Sequence, residues 1–436
     1  MGALASIGTL LVGLCALTVV ALLLRAMPRV SFVLWGIVLF FVPVWIGANA
    51  GTFWAAITVV TILAIVACGG SVRLSPVDGI VAAFVLLVVV EFALRAMSLS
   101  AMVIAVAEWV VPYVWGRLVL ARLQARFVTR SIAILTTLAA VLALVEFAVG
   151  VNVFVLLPAQ GPSFEVWGTL QGRGGFVRVE GAFGHSIALG ASLAMGAAFV
   201  VAVQWRSWVK VMALGLIAGA TVLTFSRIGL TTLLLAVALS VLTLPLISRA
   251  TRIAVAAAGI VAAAIVVPFL GVVFLDAGEE AGGSASYRSG LLDLLPLIQP
   301  LGAAPNLDGA VIGGQYLGFY AGSVDNALLV VALRAGWVPA ILLVAAIVAA
   351  IVPLFRRGGA TPANIAVAAQ IPSLFTVAFI TQYGMFFWFL VGLAVASELA
   401  RHAAGDEAVT AGPLGLDARG QVRRANDAHI SAVRIQ

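Results

Sequence analysis

Apolar runs of close to twenty residues recur along the chain from Ala3 to Leu399, broken by short polar or basic stretches. A helix of about twenty apolar residues matches the ~30 Å hydrocarbon core of a bilayer. The pattern predicts helices near 4–24, 30–46, 53–68, 77–95, 99–119, 131–149, 183–203, 208–225, 228–247, 253–275, 324–354, 363–381 and 384–399. The expected fold is all-α: a polytopic transmembrane helix bundle of 12 or 13 spans, forming a single domain over residues 1–400. The stretch 324–354 is too long for one simple span. Gly336 and Pro339 are expected to kink or break it, as a bilayer allows where other groups satisfy the freed backbone. Beyond Ala404 the apolar pattern gives way to Gly, Ala and charge, so 401–436 reads as a disordered tail.

Composition strengthens this reading. Of 436 residues, 63% are hydrophobic and 9% charged, too few charges to clothe a soluble surface of that size. The net charge of +7 is spread between the apolar runs, which argues for orientation bias and against a nucleic-acid partner. Lys210 is the only lysine among 24 basic residues, a mark of genome composition and not of mechanism. Cys15 and Cys68 both fall in apolar runs, which excludes a disulfide framework or a zinc site. The N-terminus lacks a basic leader and a clear cleavage site, so it reads as a first span.

Basic residues set the expected orientation. Arg25 and Arg29, Arg73, the group from Arg117 to Arg130, Arg206 with Lys210, Arg249 with Arg252, and Arg356 with Arg357 all fall on one side. The tail, with Arg401, Arg423, Arg424 and Arg434, joins them, and that side is the expected cytoplasmic face. Two long segments, about 151–182 and 276–323, then face outward. Loops of this length without evident secondary structure are functional or disordered.

Arg95, Arg173, Arg178, Arg227 and Arg288 run against the charge bias on the outer side. Arginine suits bidentate recognition of phosphate, so they suggest a site for an anionic or phosphate-bearing ligand. Arg227, in Thr224-Phe225-Ser226-Arg227, sits between two spans with almost no loop. It is either a functional cation or a snorkelling, structurally paired one. Asp325-Asn326 opens the run after the second loop. Asp325 reads as a helix cap or as a general base able to take a proton from a sugar hydroxyl. Arg334 lies deeper and suits pairing with a buried carboxylate, while His185 reads as an interfacial histidine or a ligand contact. Glu91, Glu108 and Glu146 lie inside apolar runs, and Glu91 with Arg95 has i,i+4 spacing for a pair along one helix face. The three histidines are scattered, no metal-ligand spacing occurs, and no Walker pattern marks an ATP motor.

Three stretches together resemble the O-antigen ligase and O-antigen polymerase superfamily of bacterial membrane glycosyltransferases. They are Arg178-Val179-Glu180-Gly181-Ala182-Phe183-Gly184-His185, then Thr224-Phe225-Ser226-Arg227, then the loop carrying Tyr287 and Arg288 followed by Asp325-Asn326 and Arg334-Ala335-Gly336. The likeness covers roughly residues 140–400 and rests on the order and spacing of short motifs. It implies transfer of a glycan from a polyprenyl diphosphate carrier to a lipid or glycan acceptor on the outer face of the bacterial cytoplasmic membrane, with inversion.

On that resemblance Arg227 and Arg288 would hold the diphosphate and Asp325 would activate the acceptor. Arg178, His185, Tyr287, Asn326 and Arg334 would contact substrate, with no metal and no cofactor beyond the carrier. Asp325 stands where the family usually has a histidine, so acceptor activation would fall to a carboxylate. Two other readings remain open: a transporter or flippase of a lipid-linked or anionic solute, and a non-catalytic scaffold in a cell-wall complex.

Overall fold

The computed structural model describes residues 18–50, 52–70, 72–157, 159, 161–173, 175–245, 247–276, 290–305, 311–312, 315–316 and 324–410. The chain is mostly helical, and helices occupy the apolar stretches that the sequence marks out. They are shorter and more interrupted than a simple set of spans.

Among the described residues, five helices are long and apolar enough to cross a membrane. These are α4 (Pro76–Ala93), α5 (Leu99–Arg122), α6 (Ala125–Val149), α13 (Trp337–Ile351, extended by a 3-10 turn to Phe355) and the apolar part of α16 (Thr381–Thr410). A sixth arises if α1 (Thr18–Ala26) and α2 (Pro28–Phe41), bent by 114° about Met27, form one broken span. Pro28 causes the bend, because it holds the preceding residue out of the helical region. Helices of crossing length and apolar composition thus number five or six among the described residues, which supports a polytopic bundle without setting its expected count of 12 or 13 spans. Shorter apolar helices fill four more of the expected places: α3 (Ala56–Cys68), α8 (Ser186–Ala202), α9 (Ser207–Leu223) and α10 (Arg227–Thr243). The last three have 17 residues each, about 26 Å of helix, at the lower edge of bilayer thickness. Helix α11 (Arg249–Asp276) completes the central group.

The run 324–354 breaks at Gly336 as expected, giving α12 (Ala327–Ala335) and α13. Gly336 has φ 92°, and a Cβ there would lie 2.8 Å from the Leu301 Cα. The segment 299–304 satisfies the freed backbone. The Gly302 amide donates to the Ala335 carbonyl and Ala304 to Leu333, while Trp337 and Val338 donate to the Gln299 and Pro300 carbonyls. The expected span 363–381 is not one helix. It divides into α14 (Pro362–Ala369) and α15 (Ile371–Leu374) before an irregular stretch to Thr381. Buried Gln370 sits at the break, donating to the Ala191 carbonyl and accepting from Ser373.

An aromatic cluster sits within a largely aliphatic core. Trp35 of α2 packs 4.3 Å from Phe389 of α16 and donates its indole N–H to Thr61. Gly116 of α5 and Gly392 of α16 let the two backbones meet: a Cβ on either would come within 2.1 Å of a carbonyl oxygen of the other helix. Asp78 closes the capping box with Ser75 at the start of α4 and pairs with Arg117 at 2.8 Å while accepting from the Tyr113 hydroxyl. At another set of helix ends, Lys210 donates to the Val201 carbonyl and Arg252 to the Leu244 carbonyl. Several basic residues of the sequence pattern therefore also cap helix C-termini.

Three short hairpins depart from the all-α expectation: β1 (Gly47–Ala50) with β2 (Thr52–Ala55), β3 (Gly172–Arg173) with β4 (Phe176–Val177), and β5 (Val311–Ile312) with β6 (Gln315–Tyr316). The loop 151–182 is structured, holding α7 (Pro162–Trp167) and the β3–β4 hairpin. The Glu91–Arg95 pair is not made. Helix α4 ends at Ala93 and Arg95 turns to φ 59°, leaving Glu91 buried and Arg95 exposed. Contacts divide the chain into residues 1–397 and 398–436. In the second unit Glu398 pairs with Arg401 and His402 and the helix runs on to Thr410, while the rest of the expected disordered tail lies outside the described residues.

Candidate functional site

The loop between α6 and α8 folds onto the tight turn between α9 and α10. The Val179 amide donates to the Leu223 carbonyl, continuing the chain path toward that turn. Arg178 is buried, and its Nε donates to the Thr224 carbonyl at 2.8 Å while Nη1 donates to Gln171 Oε1. Arg173 Nη1 donates to the Phe225 carbonyl at 3.0 Å. Phe225 is a buried non-glycine residue at φ 47°, and its ring stacks on Phe176. Backbone strain of this kind costs about 1–3 kcal/mol and persists where surrounding contacts hold it. Two residues on, Arg227 opens α10 with an exposed side chain, and Ser226 caps the helix by accepting from the Gly229 amide. Three arginines thus meet one strained turn at a helix N-terminus, where the amides and dipole favour an anion.

Beneath this turn lies a pair of acids. Glu146, at the end of α6, accepts from the Glu180 and Gly181 amides and from Asn152. Glu180 accepts from the Gln171 amide. Burial pushes the Glu180 carboxyl up to about 7 and Glu146 adds to the rise, against the Gln171 amide and the Arg178 guanidinium. His185 precedes α8 as its N-cap, with Nδ1 accepting from the Ile187 amide. Burial lowers its imidazole to about 4, and Arg178 acts in the same direction. His185 is therefore neutral near pH 7 and forms no part of the cationic cluster.

The Trp167 ring meets His185 edge-on at 6.0 Å and also lines a cavity of about 240 Å³. Phe53 and Trp54 of the first hairpin, Glu108 and Trp109 of α5, Arg334 of α12, and Phe379 with Thr381 before and at the start of α16 form much of its wall. Glu108 and Trp109 sit on a π-helical turn, Ala105–Val110, within α5. Such turns concentrate at functional sites because the extra residue per turn redirects side chains.

The sequence-predicted residues separate accordingly. Arg178, His185 and Arg227 come together around the α9–α10 turn. Arg178 bonds to backbone and side-chain acceptors there, which holds the turn in shape. Arg334 faces the cavity, and the carboxylate expected for it is Glu108, across the same space. Asn326 caps α12 by accepting from the Leu329 amide, so the cap reading belongs to Asn326, while Asp325 precedes it and is exposed. Tyr287 and Arg288 lie outside the described residues. Sequence reasoning did not single out Trp167, Trp54 or Gln171, since no spacing rule links them to the motifs. Among the described residues, no group of three or more His, Cys, Asp or Glu could hold a metal ion. Comparison with family models, curated proteins and solved structures returns no match.

Proposed function

We propose that the chain is a membrane glycosyltransferase of the O-antigen ligase and polymerase type. It would act at the outer face of the bacterial cytoplasmic membrane, with 12 or 13 crossings when the shorter helices count as spans and the C-terminus in the cytoplasm. Its donor is a glycan on a polyprenyl diphosphate carrier and its acceptor a lipid or glycan hydroxyl. That oxygen attacks the anomeric carbon with inversion. The bond to the diphosphate breaks, the electron pair leaves with the carrier phosphate, and the hydroxyl proton passes to a base, for which Asp325 is the candidate.

The observation that carries the reading is the meeting of Arg173, Arg178 and Arg227 at the start of α10. Arg173 and Arg178 brace the turn through its carbonyls while Arg227 stands exposed at the helix N-terminus, and cations gathered beside helix amides suit the charge that develops on a departing diphosphate. Arg227 is the diphosphate contact in this scheme, with Arg288 as its partner from the second long loop.

The test is transfer in vitro by full-length protein in nanodiscs, with a polyprenyl-diphosphate glycan donor, a candidate acceptor and EDTA. Arg227→Ala is expected to reduce turnover about 10²–10³-fold, the usual loss of one transition-state donor. Arg288→Ala is expected to lose turnover as well. Wild-type turnover in both variants would remove the diphosphate clamp. Equal product from wild type and Asp325→Asn would remove Asp325 as the base. A transporter or flippase is the second reading, because Glu108 and Arg334 face a single cavity among the helices. Movement of the intact lipid across vesicles without a new glycosidic bond would favour it.

A further inference from the structure

We infer that the cavity bounded by Glu108, Arg334 and the tryptophans binds a pyranose ring, the acceptor sugar of the proposed reaction. The identity of the ring as acceptor rests on that reading; the polyol chemistry rests on the cavity itself.

At about 240 Å³ the space is below the ~300–1,000 Å³ of pockets that enclose drug-sized molecules, so it suits one sugar ring and not an extended chain or a lipid tail. Its wall alternates aromatic faces with a few polar groups. Phe53, Trp54, Trp167 and Phe379 can cover the C–H faces of a ring, while Glu108 accepts from hydroxyls and Arg334 donates to them. The carboxylate and guanidinium face the same space without closing into an ion pair among the described residues, which leaves both able to bond a ligand between them.

A second observation points the same way. Thr381, in the cavity wall, is held at φ 47°, and Glu108 with Trp109 sits on a π-helical turn. Strain and an irregular turn kept in the wall of one small cavity fit a binding role more than packing.

The experiment is saturation-transfer NMR on the full chain in nanodiscs. The probes are methyl β-D-glucopyranoside, methyl β-D-galactopyranoside and N-acetyl-D-glucosamine, with inorganic phosphate as the anionic competitor. Saturable transfer to at least one sugar is expected, with phosphate failing to displace it. Glu108→Gln and Arg334→Met should each weaken binding about tenfold, the range of a lost charged hydrogen bond. Trp54→Ala, on the hairpin that covers the cavity, should weaken it without touching either charge. Melting curves confirm that each variant is folded. The inference is overturned if no sugar saturates wild type, if binding survives all three substitutions unchanged, or if phosphate displaces the sugar at equal concentration. Binding is read without donor or turnover. Sugar binding with no transfer would therefore remove the glycosyltransferase reading alone, and transfer with no binding here would remove this site alone.

Discussion

Glu180 and His185 lie five residues apart in the same loop, and burial displaces them in ways that give opposite pH dependence. Glu180 moves from an ordinary 4.5 up to about 7, so between these values the folded chain keeps a proton that the unfolded chain has lost. Stability contributed by that proton is lost as pH rises through this window. His185 moves from 6.5 down to about 4, so between these values the unfolded chain takes a proton that the folded chain refuses. That cost appears as pH falls through 6.5. At about 1.4 kcal/mol per pH unit, raising pH from 5 to 8 removes some 2 kcal/mol through Glu180 and restores a similar amount through His185. The two slopes nearly cancel in the wild type. Glu180→Gln keeps an oxygen for the Gln171 amide and fills the place of the unpartnered Oε2 with a donor, so its loss is mainly one of titration. His185→Asn keeps a capping acceptor for α8. Denaturant unfolding from pH 5 to 8 should show Glu180→Gln gaining about 2 kcal/mol with rising pH relative to wild type, and His185→Asn losing about as much. Parallel pH profiles for wild type and both variants would refute the buried, displaced state of these groups.

Two further substitutions test the framework. Asp78→Asn leaves the buried Arg117 charge without its carboxylate and should cost about 3–5 kcal/mol in denaturant unfolding, with Asp78→Asn/Arg117→Met costing much less. An equal cost for single and double variants would show that the pair is not the source. Asn326→Ala should cost about 1 kcal/mol through loss of the α12 cap, read by thermal melting, whereas Asn326→Asp keeps a capping oxygen and most of that stability. An unchanged melting temperature in Asn326→Ala would remove the cap.

The helical fold was legible because apolar periodicity and length report burial in a low-dielectric slab. Helix length was not, because it depends on where caps and breaks fall. Gly336 announced its break, since a positive φ suits glycine and Pro339 follows closely. Gln370 carried a signal of the same kind that went unread. A glutamine inside an apolar run must find partners, and here it does so by interrupting the helix and bonding Ala191 and Ser373. The β1–β2 hairpin was missed because its residues, Thr52–Ala55, are as apolar as the span that follows. At the candidate site, Arg227 stood out for lying against the charge bias. That Arg178 would spend its Nε on Thr224, 46 residues away, has no local signature. The same holds for Glu108 and Arg334, which come from helices more than 200 residues apart and meet only across the cavity.

The distribution of strain separates a packing account of these features from a functional one. Among the described residues, three non-glycine residues adopt positive φ: Arg95, Phe225 and Thr381. A bundle optimised for packing alone would place such strain anywhere that a turn happened to be tight. Phe225 instead holds the turn on which the arginines meet, and its carbonyl is taken by Arg173. Thr381 lies in the cavity wall. Arg95 is followed by Ala96, whose carbonyl accepts from Ala303, within the 299–304 segment that braces the break beside Arg334. All three therefore sit at the arginine turn, at the cavity, or in the support of a cavity residue, and the π-helical turn carrying Glu108 adds a fourth irregularity in the same region. Each costs on the order of 1–3 kcal/mol that nearby regular helix would have avoided. Strain retained at the places where charged side chains also gather implies that the geometry serves the turn and the cavity more than the stability of the bundle.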